Sequence, residues 1–199
     1  NQLGIRYDKG GDQHYDVASA MIKAIRGSDP NAAVYWLARM LSGGEDVKFI
    51  SRRLLIAASE DIGLANPTAL VMAKSTADAL MFVGMPEGRI ILSQCVIYLA
   101  CSPKSNSAYK AINRALDAVK TQGDLQVPLN LRNAPTVLMK ELGYGQDYVN
   151  DHNTPSGFAQ QEFLPKEIKG SIFYQPEDNS KEQFTHERLK ALWKDRYRY

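Results

Sequence analysis

The chain has 199 residues, of which 44% are hydrophobic and 23% charged, and its formal net charge is +2. That much apolar material supports a packed core and excludes disorder over most of the length, while the near-balanced charge does not by itself indicate a nucleic-acid partner. The apolar runs are too short to cross a bilayer and no segment resembles a signal peptide, so we expect a cytoplasmic protein with no membrane partner.

Apolar residues recur at helical spacing throughout residues 12–122. Glycine, proline or a capping residue separates consecutive segments, as at Gly27, Pro30 and Gly84. Short connections between helices favour antiparallel neighbours, so the predicted fold class is all-α, with a helical bundle over residues 12–143. The predicted helices, in chain order, cover about residues 12–27, 29–43, 50–58, 66–84, 86–102 and 109–123.

The character of the sequence changes after Gly123. An extended segment over residues 124–135 precedes a short helix through Leu138 and Leu142, and residues 144–179 are then rich in glycine, proline and aromatic side chains. Aromatic residues at this density favour an ordered irregular strap, which we expect to pack on the bundle. A final helix is predicted over residues 181–197, so that residues 144–199 form strap and terminal helix together.

The two cysteines, Cys95 and Cys101, lie on one predicted helix. Their Cα atoms would be roughly 9 Å apart at the rise of an α-helix, which is beyond the reach of a disulfide. Both are therefore predicted to be buried, reduced thiols in a reducing compartment.

Neither candidate for a phosphate-binding loop satisfies the pattern that such a loop requires. Lys74-Ser75 and Lys104-Ser105 supply its last two residues, but the glycines that would turn backbone N–H groups toward phosphate are missing. An apolar run that ends in Glu60 and Asp61 superficially resembles a Walker B strand. Its helical spacing favours a helix instead, with both carboxylates at an exposed or locally paired end.

We therefore predict no catalytic, cofactor-binding or metal-binding residue in this chain. His14, His152 and His186 are scattered, and none has metal-ligand spacing to other residues. His152 lies near two aspartates in a predicted loop, for which a solvated polar loop is the favoured interpretation. A helical enzyme stays open as an alternative; it predicts a pocket that unites Glu60, Asp61 and His152.

Three polar stretches could contact a partner or DNA. They surround residues 52–53, 103–106 and 131–135, where arginine side chains or a helix start would suit an anion. Taken singly, each is first interpreted as a solvated face, a helix N-terminus or a structural turn. Residues 180–199 also carry six basic and three acidic side chains, so a DNA-binding module that uses the final helix is a second alternative. The contact candidates are Arg52, Arg53, Lys104, Arg132 and Asn133.

Eight short stretches occur in a specific order across residues 7–176. They are residues 25–30 (IRGSDP), 35–40 (YWLARM), 58–65 (ASEDIGLA), 84–87 (GMPE), 103–106 (PKSN), 131–135 (LRNAP), 142–145 (LGYG) and 163–165 (FLP). Together they resemble the C-terminal region of the RarA family of AAA+ ATPases. This family, also called MgsA, is related to the Werner-helicase-interacting ATPases and to clamp loaders. One departure is Asn130, where the family usually has histidine.

The resemblance implies a bundle similar to the collar of clamp loaders, which assembles a homotetramer. It also implies a longer bacterial parent protein whose AAA+ module binds ATP and Mg²⁺, with residues 1–11 as the remnant of its junction. The parent would hydrolyse ATP in a DNA-dependent manner at forks, gaps or ends, near the nucleoid and alongside single-strand-binding protein. Wide apolar faces, such as residues 90–99, agree with burial either by the fold or by other subunits.

Overall fold

A computed structural model describes residues 11–199, and over this range the chain forms helices and no strand. The predicted all-α fold class is therefore confirmed. The 144–179 segment is largely irregular, as predicted, with short 3₁₀ turns. The helices are α1 (Asp12–Arg26), α2 (Pro30–Ser42), α3 (Val47–Ala57), α4 (Thr68–Val83), α5 (Gly88–Cys101), α6 (Ser107–Gln122), α7 (Val137–Glu141) and α8 (Ser180–Trp193).

Local side chains explain where these helices begin. Asp29 caps α2, because its Oδ1 accepts the N–H of Ala32 at 2.9 Å, and Pro30 occupies the first turn. Asp46 caps α3 in the same way through the N–H of Lys48 at 2.9 Å. The α3 helix does not stop at its last α-helical residue, since a π-helical turn (Ala58–Ile62) and a 3₁₀ turn (Gly63–Ala65) continue it.

The hydrophobic core lies among the first five helices. Helix α1 packs on α2, α3 and α5, and α4 packs on α3 and α5. Burial of a large aliphatic side chain contributes about 1.5–3 kcal/mol each, so this core dominates the stability of the bundle. The largest fully buried apolar side chains include Met21, Ile25, Met40, Ile50, Leu54, Ile62, Leu92 and Leu99.

The described residues divide into two compact units. The first consists of residues 11–109 together with Glu177–Glu182, and the second of Lys110–Pro176 together with Gln183–Tyr199. The predicted division at residue 143 falls inside the second unit. Residues 177–182, from the end of the predicted strap and the start of α8, belong to the first unit, because buried and part-buried hydrogen bonds join them to Ser105 and Asn106.

An aromatic cluster around Trp193 organises the second unit. The ring centroid of Trp193 lies 5.2 Å from that of Phe158 and 5.3 Å from that of Tyr197, both edge to face. Arg196 stacks 5.3 Å above the Trp193 ring and donates to Glu162 Oε2 at 2.7 Å. Aromatic packing and one charged pair therefore order a segment that has little regular secondary structure.

One expectation about side-chain burial was wrong. Cys101 is exposed, although Cys95 is buried as predicted, because the last turn of α5 presents Cys101 on the outer side of the helix. The apolar side of α6 is also exposed: Tyr109, Ile112 and Leu116 have 46%, 55% and 58% of their surface accessible. Periodicity identified the apolar side of α6 correctly, and these side chains of α6 are exposed.

None of the helices in residues 11–199 combines the length and the apolar character needed to cross a membrane.

Candidate functional site

Three of the eight short stretches singled out in the sequence meet at one polar cleft in the first unit, together with Glu177. Arg26 at the end of α1 donates from Nε to Asp61 Oδ1 at 2.8 Å. The Ser105 N–H donates to the backbone carbonyl of Asp61 at 2.9 Å, which joins the π-helical turn to the segment after α5. The cleft has a volume of about 390 Å³ and is lined by Arg26, Glu60, Asp61, Lys104, Ser105, Asn106 and Glu177.

Asp61 is the central side chain of this cleft. Only 6% of the residue is exposed, and its second carboxylate oxygen, Oδ2, is buried without a hydrogen-bond partner among the described residues. The expectation that Asp61 ends a helix in an exposed or locally paired position was therefore wrong. The π-helical turn rotates the carboxylate inward, where it pairs with Arg26, 35 residues earlier in the chain. Its carboxylate raises the pKa of Arg26 through the hydrogen bond and the charge attraction.

Lys104 closes one side of the cleft. Its Nζ donates to the carbonyl of Ala100 at 2.9 Å and to Ser28 Oγ at 3.1 Å, so it links the carboxyl end of α5 to the turn after α1. Partial burial lowers the pKa of the Lys104 ammonium, although the Asp61 charge opposes this shift. A cation at the last carbonyls of a helix also interacts favourably with the helix dipole.

A buried carboxylate, Glu182, anchors the start of α8 beside the same segment. Only 1% of Glu182 is exposed, and its Oε1 accepts hydrogen bonds from Ser105 Oγ and from Asn179 Nδ2, the latter at 2.9 Å. The N–H of Glu182 in turn donates to Asn179 Oδ1 at 3.0 Å. Buried charges of this kind are tolerated because several donors replace the lost water.

The three residues of the enzyme alternative are divided between the two compact units. Glu60 and Asp61 both line the cleft, but His152, the third residue of the enzyme alternative, lies in the second unit, where its N–H donates to Asn150. No cluster of three or more histidine, cysteine, aspartate or glutamate side chains within residues 11–199 has the arrangement to hold a metal ion.

The predicted contact residues of α3 occupy different environments. Arg52 is exposed, whereas Arg53 is half-buried and its Nε has no hydrogen-bond partner in the described part of the chain. Exposed Lys48 lies one turn before Arg52 and extends the basic side of α3. Of the α3 residues predicted to meet an anion, Arg52 is thus the one whose charge faces outward.

Arg132 is held by its own unit. Its Nε donates to the carbonyl of Val127 at 2.7 Å, and its terminal nitrogens donate to Tyr144 and Gln126 at 3.2 and 3.1 Å. The guanidinium also lies 5.0 Å from the centre of the Tyr144 ring. The neighbouring Asn133 is exposed. The sequence therefore identified a structurally important arginine, and its contact with DNA stays a prediction.

Helices α4 and α5 carry apolar side chains that are exposed to solvent in a single chain. Phe82 is 93% exposed, an extreme value for phenylalanine, and Ile90 is 61% exposed. Isolated exposed apolar side chains are ordinary, whereas a contiguous group of them is typical of an interaction surface. This outer α4–α5 surface is defined by Leu70, Val71, Met81, Phe82 and Val83 of α4 and by Ile90 and Ile97 of α5.

Sequence reasoning missed the long-range polar pairs. Another is His14 with Glu45, two buried side chains that form a short Nδ1–Oε2 contact between α1 and the residue that precedes the α3 cap. The position of His14 on the apolar side of a predicted helix was a signal that its side chain is buried. That position did not indicate Glu45 as the partner.

The class of protein follows from comparison of the amino-acid sequence with known families. A family sequence profile described as MgsA AAA+ ATPase C terminal matches residues 27–193. The chain therefore belongs to the MgsA family, as its C-terminal region. The matched span contains two of the three stretches that meet at the cleft and most of the stretch around residues 25–30.

Relatives at high identity carry more specific names. The chain is 46% identical over 186 residues to Replication-associated recombination protein A of Coxiella burnetii, covering 93% of this chain and 42% of the relative. It is 43% identical over 188 residues to the Escherichia coli K12 protein of that name, with 94% and 42% covered. It is 44% identical over 170 residues to ATPase WRNIP1 of Dictyostelium discoideum, with 85% and 19% covered. The chain thus spans less than half the length of these relatives.

Proposed function

We propose that this chain is the assembly domain of a replication-associated AAA+ ATPase and that it joins four copies through its exposed apolar helices. The observation that carries this proposal is the α4–α5 surface, on which Phe82 and Ile90 face solvent in a single chain. An interface between obligate subunits resembles a domain core cut in half. Covering one such phenylalanine contributes about 1.5–3 kcal/mol.

In this proposal the chain has no catalytic site of its own. ATP and Mg²⁺ would be bound by a AAA+ module elsewhere in the parent protein, and tetramer formation would set the spacing of four such modules. The names of the relatives, which refer to replication-associated recombination, support a role in fork maintenance, repair and recombination. The parent would act in the bacterial cytoplasm at nucleoid DNA, with single-strand-binding protein as a candidate partner.

The test is the mass of the purified chain by light scattering across a wide dilution series. We expect a four-chain species that dissociates on dilution, and we expect Phe82→Glu to raise the dissociation concentration at least tenfold. Tyr15→Glu is the matched control, because Tyr15 is also exposed (66%) but lies on α1. A chain that stays monomeric at high concentration would refute the assembly function.

A second candidate function is direct contact with DNA. Exposed basic side chains on and after α8, including Arg188, Lys190, Lys194 and Arg198, favour it. Binding through phosphate contacts weakens steeply with salt. Reversing these four charges should then abolish binding of a fork substrate at low salt, and an unchanged affinity would reject this role for α8.

A further inference from the structure

The outer face of helix α4 has a symmetric order of side chains. At 100° per residue, Leu70, Val71, Lys74, Asp78, Met81 and Phe82 fall on one side of the helix, and all six are exposed. Two apolar pairs therefore flank a central pair of opposite charges. Thr76 lies at the middle of this order, with its side chain turned into the core.

We propose that α4 packs antiparallel against α4 of a second copy, about a two-fold axis that passes near Thr76. This arrangement places Leu70 opposite Phe82 of the second copy and Val71 opposite its Met81. Each of these contacts occurs twice, as a two-fold interface requires. The inference rests on the proposed assembly function and specifies one of its subunit contacts; because a two-fold contact closes with two copies, four copies also require a second interface.

The charges on α4 favour α4 of a second copy as its partner. Lys74 Nζ and Asp78 Oδ1 are 2.5 Å apart within one helix, and both side chains are about two-thirds exposed (63% and 66%). In the antiparallel pair, each Lys74 lies opposite Asp78 of the other copy, so that four alternating charges meet at the centre. A parallel arrangement would place lysine against lysine and aspartate against aspartate. The charge order is therefore self-complementary in the antiparallel orientation.

The flanking apolar residues fit the same partner. Phe82 is 93% exposed and Leu70 47% exposed in the single chain, and the antiparallel pair would cover one with the other. The described helix has 16 residues, roughly 24 Å in length, which is enough for both apolar ends to make contact.

Complementary charge reversal tests the arrangement in the whole chain. Lys74→Glu should weaken self-association at least tenfold, because two carboxylates would then face each other across the axis. Asp78→Lys should weaken it similarly, because two lysines would then face each other. Equimolar mixing of the two variants should restore association, because the mixed pair has opposite charges at both central contacts. Analytical ultracentrifugation measures the dissociation concentration in each case.

Two controls separate this contact from helix stability. Each reversal also removes the pair within the helix, so circular dichroism must first show that both variants remain folded. The swapped variant Lys74→Asp with Asp78→Lys keeps an opposite-charge pair in each helix and across the axis, and it should associate like the wild type. Lys48→Glu changes an exposed lysine on α3 and should have little effect.

The outcomes separate the two proposals. If the wild type assembles and both single reversals associate with unchanged affinity, the α4 pairing is overturned while the assembly function stands. If the reversals weaken association and mixing does not restore it, α4 contacts something other than itself, and the pairing is again overturned. A monomeric wild type would overturn the assembly function as well.

Discussion

Replacing Gly63 by alanine tests how the cleft is held together. Gly63 follows the π-helical turn with φ of 49° and ψ of −126°, a conformation that residues with a side chain rarely adopt. Such a backbone costs about 1–3 kcal/mol for alanine. A Cβ would also lie 3.1 Å from the carbonyl oxygen of Ser105, closer than ordinary van der Waals contact.

Gly84 supplies the matched control. It also has positive φ, at 75°, but a Cβ there would meet no heavy atom within 4 Å among the described residues. Gly84→Ala therefore measures the cost of a positive φ without a steric contact. Gly63→Ala must in addition displace Ser105, whose N–H donates to the Asp61 carbonyl at 2.9 Å, and loss of that hydrogen bond costs about 1 kcal/mol.

We expect Gly63→Ala to lower the free energy of unfolding by about 1 kcal/mol more than Gly84→Ala does, reflecting the close approach to Ser105. Urea denaturation followed by circular dichroism, at one protein concentration, measures both values. Equal losses in the free energy of unfolding for the two variants would show that the segment after α5 shifts to accommodate the Cβ and that the contact between Gly63 and Ser105 does not contribute to stability.

Three further predictions concern buried groups. Arg26→Ala should lower the free energy of unfolding by about 2–3 kcal/mol, because it leaves the buried Asp61 unpaired. In a chain that already carries Asp61→Asn, this loss should shrink below about 1 kcal/mol. Additive losses in a double-mutant cycle would contradict the pairing. Glu182→Ala should lower the free energy of unfolding, measured by urea denaturation, by about 2–4 kcal/mol, since several buried donors lose their acceptor. An unchanged free energy would mean that Glu182 does not hold residues 177–182 against the segment after α5. Burial raises the pKa of the Cys95 thiol. A thiol reagent should therefore modify Cys101 rapidly and Cys95 only after unfolding. Equal rates of modification in the native protein would contradict the burial of Cys95.

The helical architecture was predictable because it depends on local chemistry. Apolar spacing, the Asp29 cap with Pro30, and glycines such as Gly27 and Gly84 predicted where helices begin and end, and the structure has them there. These signals act within one or two turns, and a single sequence contains them in full. The exposed apolar side of α6 shows the limit: periodicity locates a face but not the surface that covers it.

The cleft depended on tertiary structure. Arg26, Asp61 and Lys104 are separated by 35 residues or more along the chain, and no sequence pattern indicated that Arg26 pairs with Asp61 or that Lys104 lies beside them. The π-helical turn changes the direction of Asp61 through backbone geometry that no apolar spacing indicates.

What the sequence by itself determined is therefore the helix class, the order of the helices and, through its resemblance, the family. Only the tertiary structure decided which charges pair and which apolar faces remain open. The physical reason is that helix formation depends on neighbours three or four residues away, whereas the burial of Asp61 or the exposure of Phe82 depends on the packing of entire helices.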